Sequence, residues 1–121
     1  MKRFEDKTVI VTGGGGGIGS ASCLRLAAEG ARVAVLDRDL DTAQKTVEAV
    51  RQAGGQAAAF ACDITDRAQV DAAVAAVQAQ LGPVAALVNN AGWDVFKPFL
   101  KTSPAEWDKL IAINLTGALH M

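Results

Sequence analysis

The sequence predicts an α/β fold built on a doubly wound parallel sheet, with helices on both faces. Short apolar segments rich in β-branched residues alternate with longer helical patterns along the whole chain, without a linker or low-complexity segment between them. Each apolar segment runs into glycine, aspartate or asparagine residues, as strands do at the ligand-binding edge of such a sheet. Four strand–helix units joined by right-handed crossovers predict the strand order 3-2-1-4.

The first unit surrounds a glycine-rich loop. Lys7–Thr12 is apolar, β-branched and bounded by turn residues, which predicts a short buried strand. Small and apolar residues from Ile18 to Glu29 predict a helix packed closely on the sheet, and Gly30 ends it. The glycines at 13–17 therefore lie between a strand end and a helix start, where free N–H groups and the positive end of the helix dipole can hold a phosphate.

The second and third units each begin with an apolar strand and continue into a helix. The strands are predicted at 32–36 and 57–62, and their helices end before Gly54 and Gly82. Asp39 and Asp41 are candidate caps of the first of these helices, and Asp66 caps the second. Two other aspartates, Asp37 and Asp63, stand directly at the strand ends.

The fourth unit begins with the apolar strand 84–88, which runs into Asn89-Asn90-Ala91-Gly92. After a loop, Ser103-Pro104-Ala105-Glu106 matches a capping box with proline at the first helical position. The helix is predicted to continue to the last residue, and we expect the sheet to be truncated before a fifth strand. We therefore expect residues 1–121 to form one dinucleotide-binding domain.

Composition and charge exclude several classes of function. Half of the residues are hydrophobic, but no apolar run reaches the length of a membrane span, and the N-terminal MKRFEDKT lacks the apolar core of a secretory signal. The net charge is −1 with scattered charges, which argues against a nucleic-acid partner. Cys23 and Cys62 have no metal-ligand spacing and are expected to be small buried hydrophobes, so we expect no metal site and a cytoplasmic location.

Two glycine spacings are compatible with dinucleotide binding. Gly14, Gly16 and Gly19 fit G-x-G-x-x-G. The alternative, T-G-x-x-x-G-x-G, uses Gly13 and Gly17 with the same Gly19. No lysine of the Walker type follows the glycines, which disfavours a mononucleotide P-loop. The position of the loop between a strand and a helix favours a dinucleotide site over a plain turn.

Asp37, at the end of the second strand, is the acidic residue expected to bind an adenosine ribose. Its carboxylate can accept hydrogen bonds from both ribose hydroxyls and repels a 2′-phosphate. No basic residue in the glycine loop offsets that repulsion, although Arg38 is adjacent. We therefore expect NAD as the cofactor rather than NADP.

Two more strand ends supply candidate cofactor contacts. Asp63 and Ile64 follow the third strand, where the carboxylate can accept from an adenine amino group and the isoleucine can pack beside the ring; the alternative is a plain helix cap. Asn90, Ala91 and Gly92 follow the fourth strand, at the switch point of the sheet. The amide is expected to hold the loop backbone there, and Gly92 permits close approach of the cofactor.

Taken together, these motifs resemble the short-chain dehydrogenase/reductase family from Lys7 to the C-terminus. The matching stretches are Thr12-Gly13 with Gly17 and Gly19, Asp37, Asp63-Ile64, NNAG at 89–92 and IAINLTG at 111–117. The resemblance implies a Rossmann-type fold and selects the second glycine spacing. In that spacing Gly13 makes the turn, and Gly19 lets the helix pack on the sheet. Gly17 and Ile18 bring their backbone close to the pyrophosphate. Gly14–Gly16 are expected to be loop residues without packing contacts that require glycine.

The last predicted helix carries the candidate catalytic residue Asn114. It falls on one helical stripe with Trp107, Leu110, Ile111 and Ala118. An amide on this stripe is expected to be buried, either as a satisfied core asparagine or, as the resemblance implies, in a supporting role that orders a water beside an active-site lysine. Trp93 and Phe96, in the loop before the helix, are expected to contact substrate or to cover the core.

The resemblance implies an NAD-dependent oxidoreductase that transfers a hydride between a secondary alcohol or ketone and the cofactor. In the family a tyrosine transfers the proton, with a lysine one helical turn later and a serine on the substrate oxygen. The chain contains no tyrosine, so we expect the cofactor-binding half of an enzyme, inactive by itself.

A finer resemblance concerns the substrate. The stretches NNAGWDVFKPFLKT and AINLTGALHM look like the 2-hydroxycyclohexanecarboxyl-CoA dehydrogenases, which implies a small-molecule substrate of the hydroxyacyl-CoA thioester class. We expect the complete enzyme to be a homo-oligomer without a nucleic-acid or membrane partner. The alternatives are a stand-alone nucleotide-binding or redox-sensing module and an inactive interaction fragment.

Overall fold

The computed structural model describes all residues from 1 to 121 and contains a four-stranded parallel sheet with helices on both faces. The strands are β1 (Thr8–Thr12), β2 (Arg32–Asp37), β3 (Gln56–Ala61) and β4 (Val84–Val88), and the helices are α1 (Gly17–Ala28), α2 (Leu40–Gln52), α3 (Arg67–Leu81), α4 (Pro104–Ile111) and α5 (Gly117–His120). The sheet order is β3-β2-β1-β4, which confirms the predicted order and the doubly wound fold. None of the helices has the length and apolar character needed to cross a membrane.

The core consists of two layers, one on each face of the sheet. Val9 and Val11 of β1 point to the face covered by α1 and α2, whereas Ile10 points to the face covered by α3. This alternation follows from the pleat of a strand, and it explains why β1 is apolar on both faces. All five residues of β1 are buried, so the strand forms the centre of the fold.

The cysteines lie in these two layers, one in each, and neither forms a disulfide. Burial raises the pKa of Cys23 to about 12 and also raises the pKa of Cys62. Both thiols therefore stay protonated at neutral pH, and the prediction of small buried hydrophobes is confirmed.

Aspartate caps begin the helices that follow β2 and β3. The Asp39 carboxylate accepts from the N–H groups of Asp41 and Thr42, and the Asp66 carboxylate caps α3 in the same way. Of the two candidates for α2, Asp39 is thus the cap, and Asp41 lies in the first turn where an acidic side chain complements the helix dipole.

The last helical segment differs from its prediction. It is interrupted by a π-helical turn at Ala112–Thr116, so α4 and α5 are separate helices rather than one continuous helix. The capping box is half formed. Ser103 Oγ accepts from the N–H of Glu106 at 3.3 Å. The Glu106 carboxylate, however, binds Lys97 Nζ at 2.5 Å instead of accepting from the N–H of Ser103. The ammonium group is the stronger hydrogen-bond partner for a carboxylate.

The N-terminal segment is tied to α1 by a buried carboxylate. Glu29 accepts from Arg3 Nη2 at 2.6 Å and from Arg25 Nε at 2.7 Å, and its side chain is only 7% exposed. Hydrogen bonds from Arg3 and then from Arg25 lower the pKa of Glu29 to about 2.

We expect Glu29→Gln to lower the melting temperature at pH 7, because the two guanidinium groups lose their charged acceptor. The pKa of Glu29 is depressed on folding, so its stabilisation is present above the unfolded pKa of about 4.3. This stabilisation is lost as the pH falls toward about 2, the pKa of Glu29 in the folded protein. The gap in melting temperature between the two proteins should therefore narrow between about pH 5 and pH 2. Glu48→Gln, at an exposed helical position without an ion pair, is the control; a pH-independent gap for Glu29→Gln would contradict the assignment.

Candidate functional site

A cleft of about 550 Å³ opens along the carboxyl ends of the strands. All of the residues predicted to bind the cofactor line it: Gly13, Gly17, Ile18, Gly19, Asp37, Asp63, Ile64, Asn90, Ala91 and Gly92. The cleft is also lined by Leu36, Arg38, Cys62, Trp93, Lys109 and Ile113. In a doubly wound sheet this edge is where ligands bind, because the connections diverge to opposite faces there.

Close packing requires glycine at both Gly13 and Gly19. Gly13 has a φ of +63°, and a Cβ added to it would lie 2.9 Å from Ala91 Cα. A Cβ on Gly19 would lie 2.2 Å from the carbonyl oxygen of Gly13. A side chain at Gly19 would therefore push the start of α1 away from the end of β1.

The expectation that no packing contact requires glycine at Gly14–Gly16 is wrong for two of the three. A Cβ on Gly14 would lie 2.7 Å from Val35 Cγ1, and one on Gly15 would lie 2.5 Å from Thr42 Oγ1. Only Gly16 has room, with its nearest neighbour at 3.5 Å. The loop packs against β2 and α2, and these contacts come from residues distant in the sequence.

The N-terminus of α1 is open toward the cleft. Gly16 is its N-cap residue and supplies no side-chain hydrogen bond, and the N–H groups of Gly17 and Ile18 have no acceptor within the chain. A Cβ on Gly17 would meet no atom within 4 Å. Free N–H groups at the positive end of a helix dipole, facing empty space, form a site suited to an anion.

Asp37 lies at the end of β2 with its carboxylate held in place by backbone donors. Its Oδ2 accepts from the N–H of Gly15 and its Oδ1 accepts from the N–H of Asp39, both at 3.0 Å. Each carboxylate oxygen can accept further hydrogen bonds. The side chain is thus oriented and still able to bind two donors in the cleft, while Arg38 lies exposed beside it.

Asp63 caps a turn and not a helix, so the alternative of a plain helix cap is wrong. Its Oδ1 accepts from the N–H of Thr65 at 2.9 Å and from Thr65 Oγ1 at 2.7 Å, whereas the cap of α3 is Asp66. The hydrogen bonds from the Thr65 side chain and backbone, with a smaller contribution from the charge of Arg38, lower the pKa of Asp63. Ile64 is buried beside it and packs against Gly117.

Asn90 joins β4 to the glycine loop. Its Nδ2 donates to the carbonyl oxygens of Thr12 at 3.0 Å and of Gly13 at 3.1 Å. In return, Thr12 Oγ1 accepts from the N–H groups of Asn90 at 3.1 Å and Ala91 at 3.0 Å. The expectation that this amide holds the loop backbone is confirmed by these contacts.

Asn114 is exposed, which contradicts the expectation of a buried amide. The stripe on which it was predicted is itself partly exposed, since Trp107 and Ile111 are 39% and 55% exposed. Both polar atoms of Asn114 are nevertheless used: Oδ1 accepts from the N–H of Trp93 at 2.9 Å, and Nδ2 donates to the Trp93 carbonyl at 2.7 Å. Asn114 therefore fixes the loop that follows Gly92 and does not line the cleft itself.

Trp93 and Phe96, which the sequence grouped together, lie in different environments. Trp93 lines the cleft, with Lys109 Nζ 4.0 Å from its ring centroid, whereas Phe96 is 97% exposed and lies outside the cleft. Lys109 was not identified from the sequence, because no periodic pattern connects a lysine on α4 with an aromatic residue in the preceding loop. Within the 121 residues, no group of three His, Cys, Asp or Glu side chains is arranged to hold a metal ion.

The sequence and the fold are similar to those of known proteins. A short-chain reductase of Streptomyces niveus is 40% identical over 116 residues, which cover 96% of this chain and 44% of that protein. The 3β-hydroxysteroid dehydrogenase 1 of Eggerthella lenta is 43% identical over 115 residues, covering 94% of this chain and 44% of the relative. The crystal structure of an NAD⁺-bound xylitol dehydrogenase superposes with a TM-score of 0.93 at 38% identity, over 98% of this chain and 46% of that one.

The chain thus spans less than half the length of these relatives. The sequence pattern of the family described as short chain dehydrogenase matches residues 7–121, from the residue before β1 to the last residue. The match includes the glycine loop, the polar strand ends and the π-helical turn that carries Asn114. The chain belongs to the short-chain dehydrogenase family of oxidoreductases.

Proposed function

We propose that this chain is the cofactor-binding part of an NAD-dependent oxidoreductase that acts on a secondary alcohol or ketone. The observation that supports it best is the conjunction, in one cleft, of an uncapped helix N-terminus and a carboxylate at the end of β2. The helix terminus suits a pyrophosphate, and the Asp37 carboxylate suits a ribose diol. When bound, NAD supplies the hydride acceptor.

The residues present fit a dinucleotide. The empty space at Gly17 is large enough that a Cβ there would meet nothing within 4 Å, as a cradle for phosphate oxygens requires. We assign pyrophosphate binding to the N–H groups of Gly17 and Ile18, and close packing of the loop to Gly13 and Gly19. Asp63 and Ile64 would border the adenine. Asn90, Ala91 and Gly92 would form the floor of the cleft toward the nicotinamide ring, where the hydride is transferred.

NAD is preferred to NADP in this proposal because of Asp37. The carboxylate is fixed by two backbone donors and cannot turn away from a 2′-phosphate without losing them. Arg38 is the one cationic side chain beside it in the cleft, and its charge already acts on Asp63.

We propose that these residues do not supply the proton-transfer step. The chain has no tyrosine, the residue to which the family assigns that step, so we propose that residues 1–121 alone do not catalyse the reaction. Asn114 would support catalysis by fixing the Trp93 loop at the reacting end of the cleft. For the whole enzyme we propose a cytoplasmic homo-oligomer, and the resemblance at 89–102 and 112–121 favours a hydroxyacyl-CoA thioester as substrate.

The first test of the proposal is cofactor choice. We expect the chain to bind NAD more tightly than NADP in calorimetric titrations, and Asp37→Ala to erode this preference. Loss of a charge-assisted hydrogen bond costs roughly 1.5–3 kcal/mol, so the ratio of the two dissociation constants should change about tenfold or more. Asp41→Ala removes a nearby carboxylate outside the cleft and should leave the ratio unchanged. Equal affinity of the unmutated chain for both cofactors would refute the role of Asp37.

The second test concerns the phosphate cradle. We expect Gly17→Val to abolish NADH binding, because the new side chain would fill the space proposed for the pyrophosphate. The variant should still fold, since a Cβ at this position meets no protein atom. Ala21→Val, at an exposed position on the same helix and outside the cleft, is the control and should bind normally. Unchanged NADH affinity in Gly17→Val would refute the assignment of the pyrophosphate to this end of α1, whereas absence of NADH binding to the unmutated chain would favour the interaction-fragment alternative.

A further inference from the structure

The cleft has a cationic end that the proposed cofactor contacts do not use. Asp37 and Asp63 lie at the ends of β2 and β3, whereas Trp93 follows β4, at the opposite side of the sheet order, and Lys109 lies over its ring. If the adenosine half of a dinucleotide lies near Asp37, as the proposed function requires, the β4 side is where a substrate must approach. The side chains there are therefore candidates for substrate recognition.

Trp93 is held in a fixed position at this end. The Asn114 side chain forms hydrogen bonds with both the N–H and the carbonyl of Trp93, at 2.9 and 2.7 Å. A Cβ on Gly92 would lie 3.0 Å from Asn114 Oδ1, so the approach of the loop to the helix depends on the glycine. The backbone of Trp93 is consequently fixed at the cleft wall.

Lys109 brings a positive charge to the same wall. Its Nζ lies 4.0 Å from the Trp93 ring centroid, in the geometry of a cation–π interaction. It forms no ion pair with any carboxylate of the chain, in contrast to Lys97, which is neutralised by Glu106 at 2.5 Å. An aromatic ring orients an ammonium group without neutralising its charge, which leaves the N–H donors able to bind an anion.

We propose that Trp93 and Lys109 form a specificity site for the anionic group of the substrate. This inference rests on the proposed function for the direction of approach. The ring provides an apolar wall for the carbon skeleton, and the ammonium binds a carboxylate or phosphate carried by the same molecule. A substrate of this class is a secondary hydroxy compound with a negatively charged group, and a neutral alcohol of the same size is disfavoured.

The indole N–H resonance of Trp93 provides a test that needs no turnover. The chain has two tryptophans, so Trp107→Phe assigns the two indole signals in a ¹⁵N-labelled sample. At constant ionic strength, we expect 3-hydroxybutyrate and glycerol 3-phosphate to shift the Trp93 signal in a saturable manner, whereas neutral 3-hydroxybutyramide does not. The two anions distinguish a carboxylate from a phosphate as the preferred group, and saturable binding of either supports the site.

Variants of Lys109 separate a specific site from general charge effects. Lys109→Met should abolish the anion-dependent shift, and Lys109→Arg should retain it, because arginine also stacks on indole and binds anions. Lys101→Met removes a lysine outside the cleft and should have no effect. Equal shifts with the acid and its amide, or an unchanged response in Lys109→Met, would overturn the proposal. NAD titrated separately reports on the Gly17 and Ile18 amides, so failure of cofactor binding would be recognised independently of failure at Trp93.

Discussion

The site depends on how closely the end of β1 approaches both α1 and the loop after β4. The Gly13 carbonyl leaves no space for a Cβ on Gly19, and Gly13 itself leaves none toward Ala91. Asn90 closes this junction by donating from one amide group to two successive carbonyl oxygens of the β1 end. Because buried backbone groups must find partners, this single amide allows the strand to stop and the helix to start within a few residues. The open N-terminus of α1 is a consequence of that geometry.

Amides and carboxylates have different functions around the cleft. The amide groups of Asn90 and Asn114 are used on backbone atoms and fix the positions of two loops. The carboxylates of Asp37 and Asp63 also accept backbone or hydroxyl donors, but a carboxylate has more acceptor sites than these contacts occupy. The same side chains can therefore stabilise the fold locally and present acceptors to a ligand. This arrangement explains why polar residues are concentrated at strand ends without leaving unsatisfied groups there.

Local sequence patterns were sufficient to predict the sheet, but they could not predict the long-range packing contacts. The β-branched runs and their turn residues predicted the strands, and alternation with helices predicted the order. The same patterns could not show that Gly15 lies against Thr42, since that contact joins separate units. The burial of Asn114 was wrongly inferred because helical periodicity identifies a stripe but not whether anything covers it. The pairing of Lys109 with Trp93 depends on the path of an irregular loop, for which the sequence has no periodic signal.

The π-helical turn at Ala112–Thr116 separates the two ends of what would otherwise be one helix. Each residue of an α-helix turns the chain by about 100°, so one additional residue in a turn rotates everything after it by that angle. Residues of α4 and α5 that share a stripe in a regular helical projection therefore face different directions. Gly117, at the start of α5, is buried against Ile64, while Ile111, at the end of α4, is 55% exposed. Helix α5 packs on Ile64 beside the cleft, and helix α4 carries Lys109. The two helices can thus vary in sequence under separate constraints, although they follow one another in the chain.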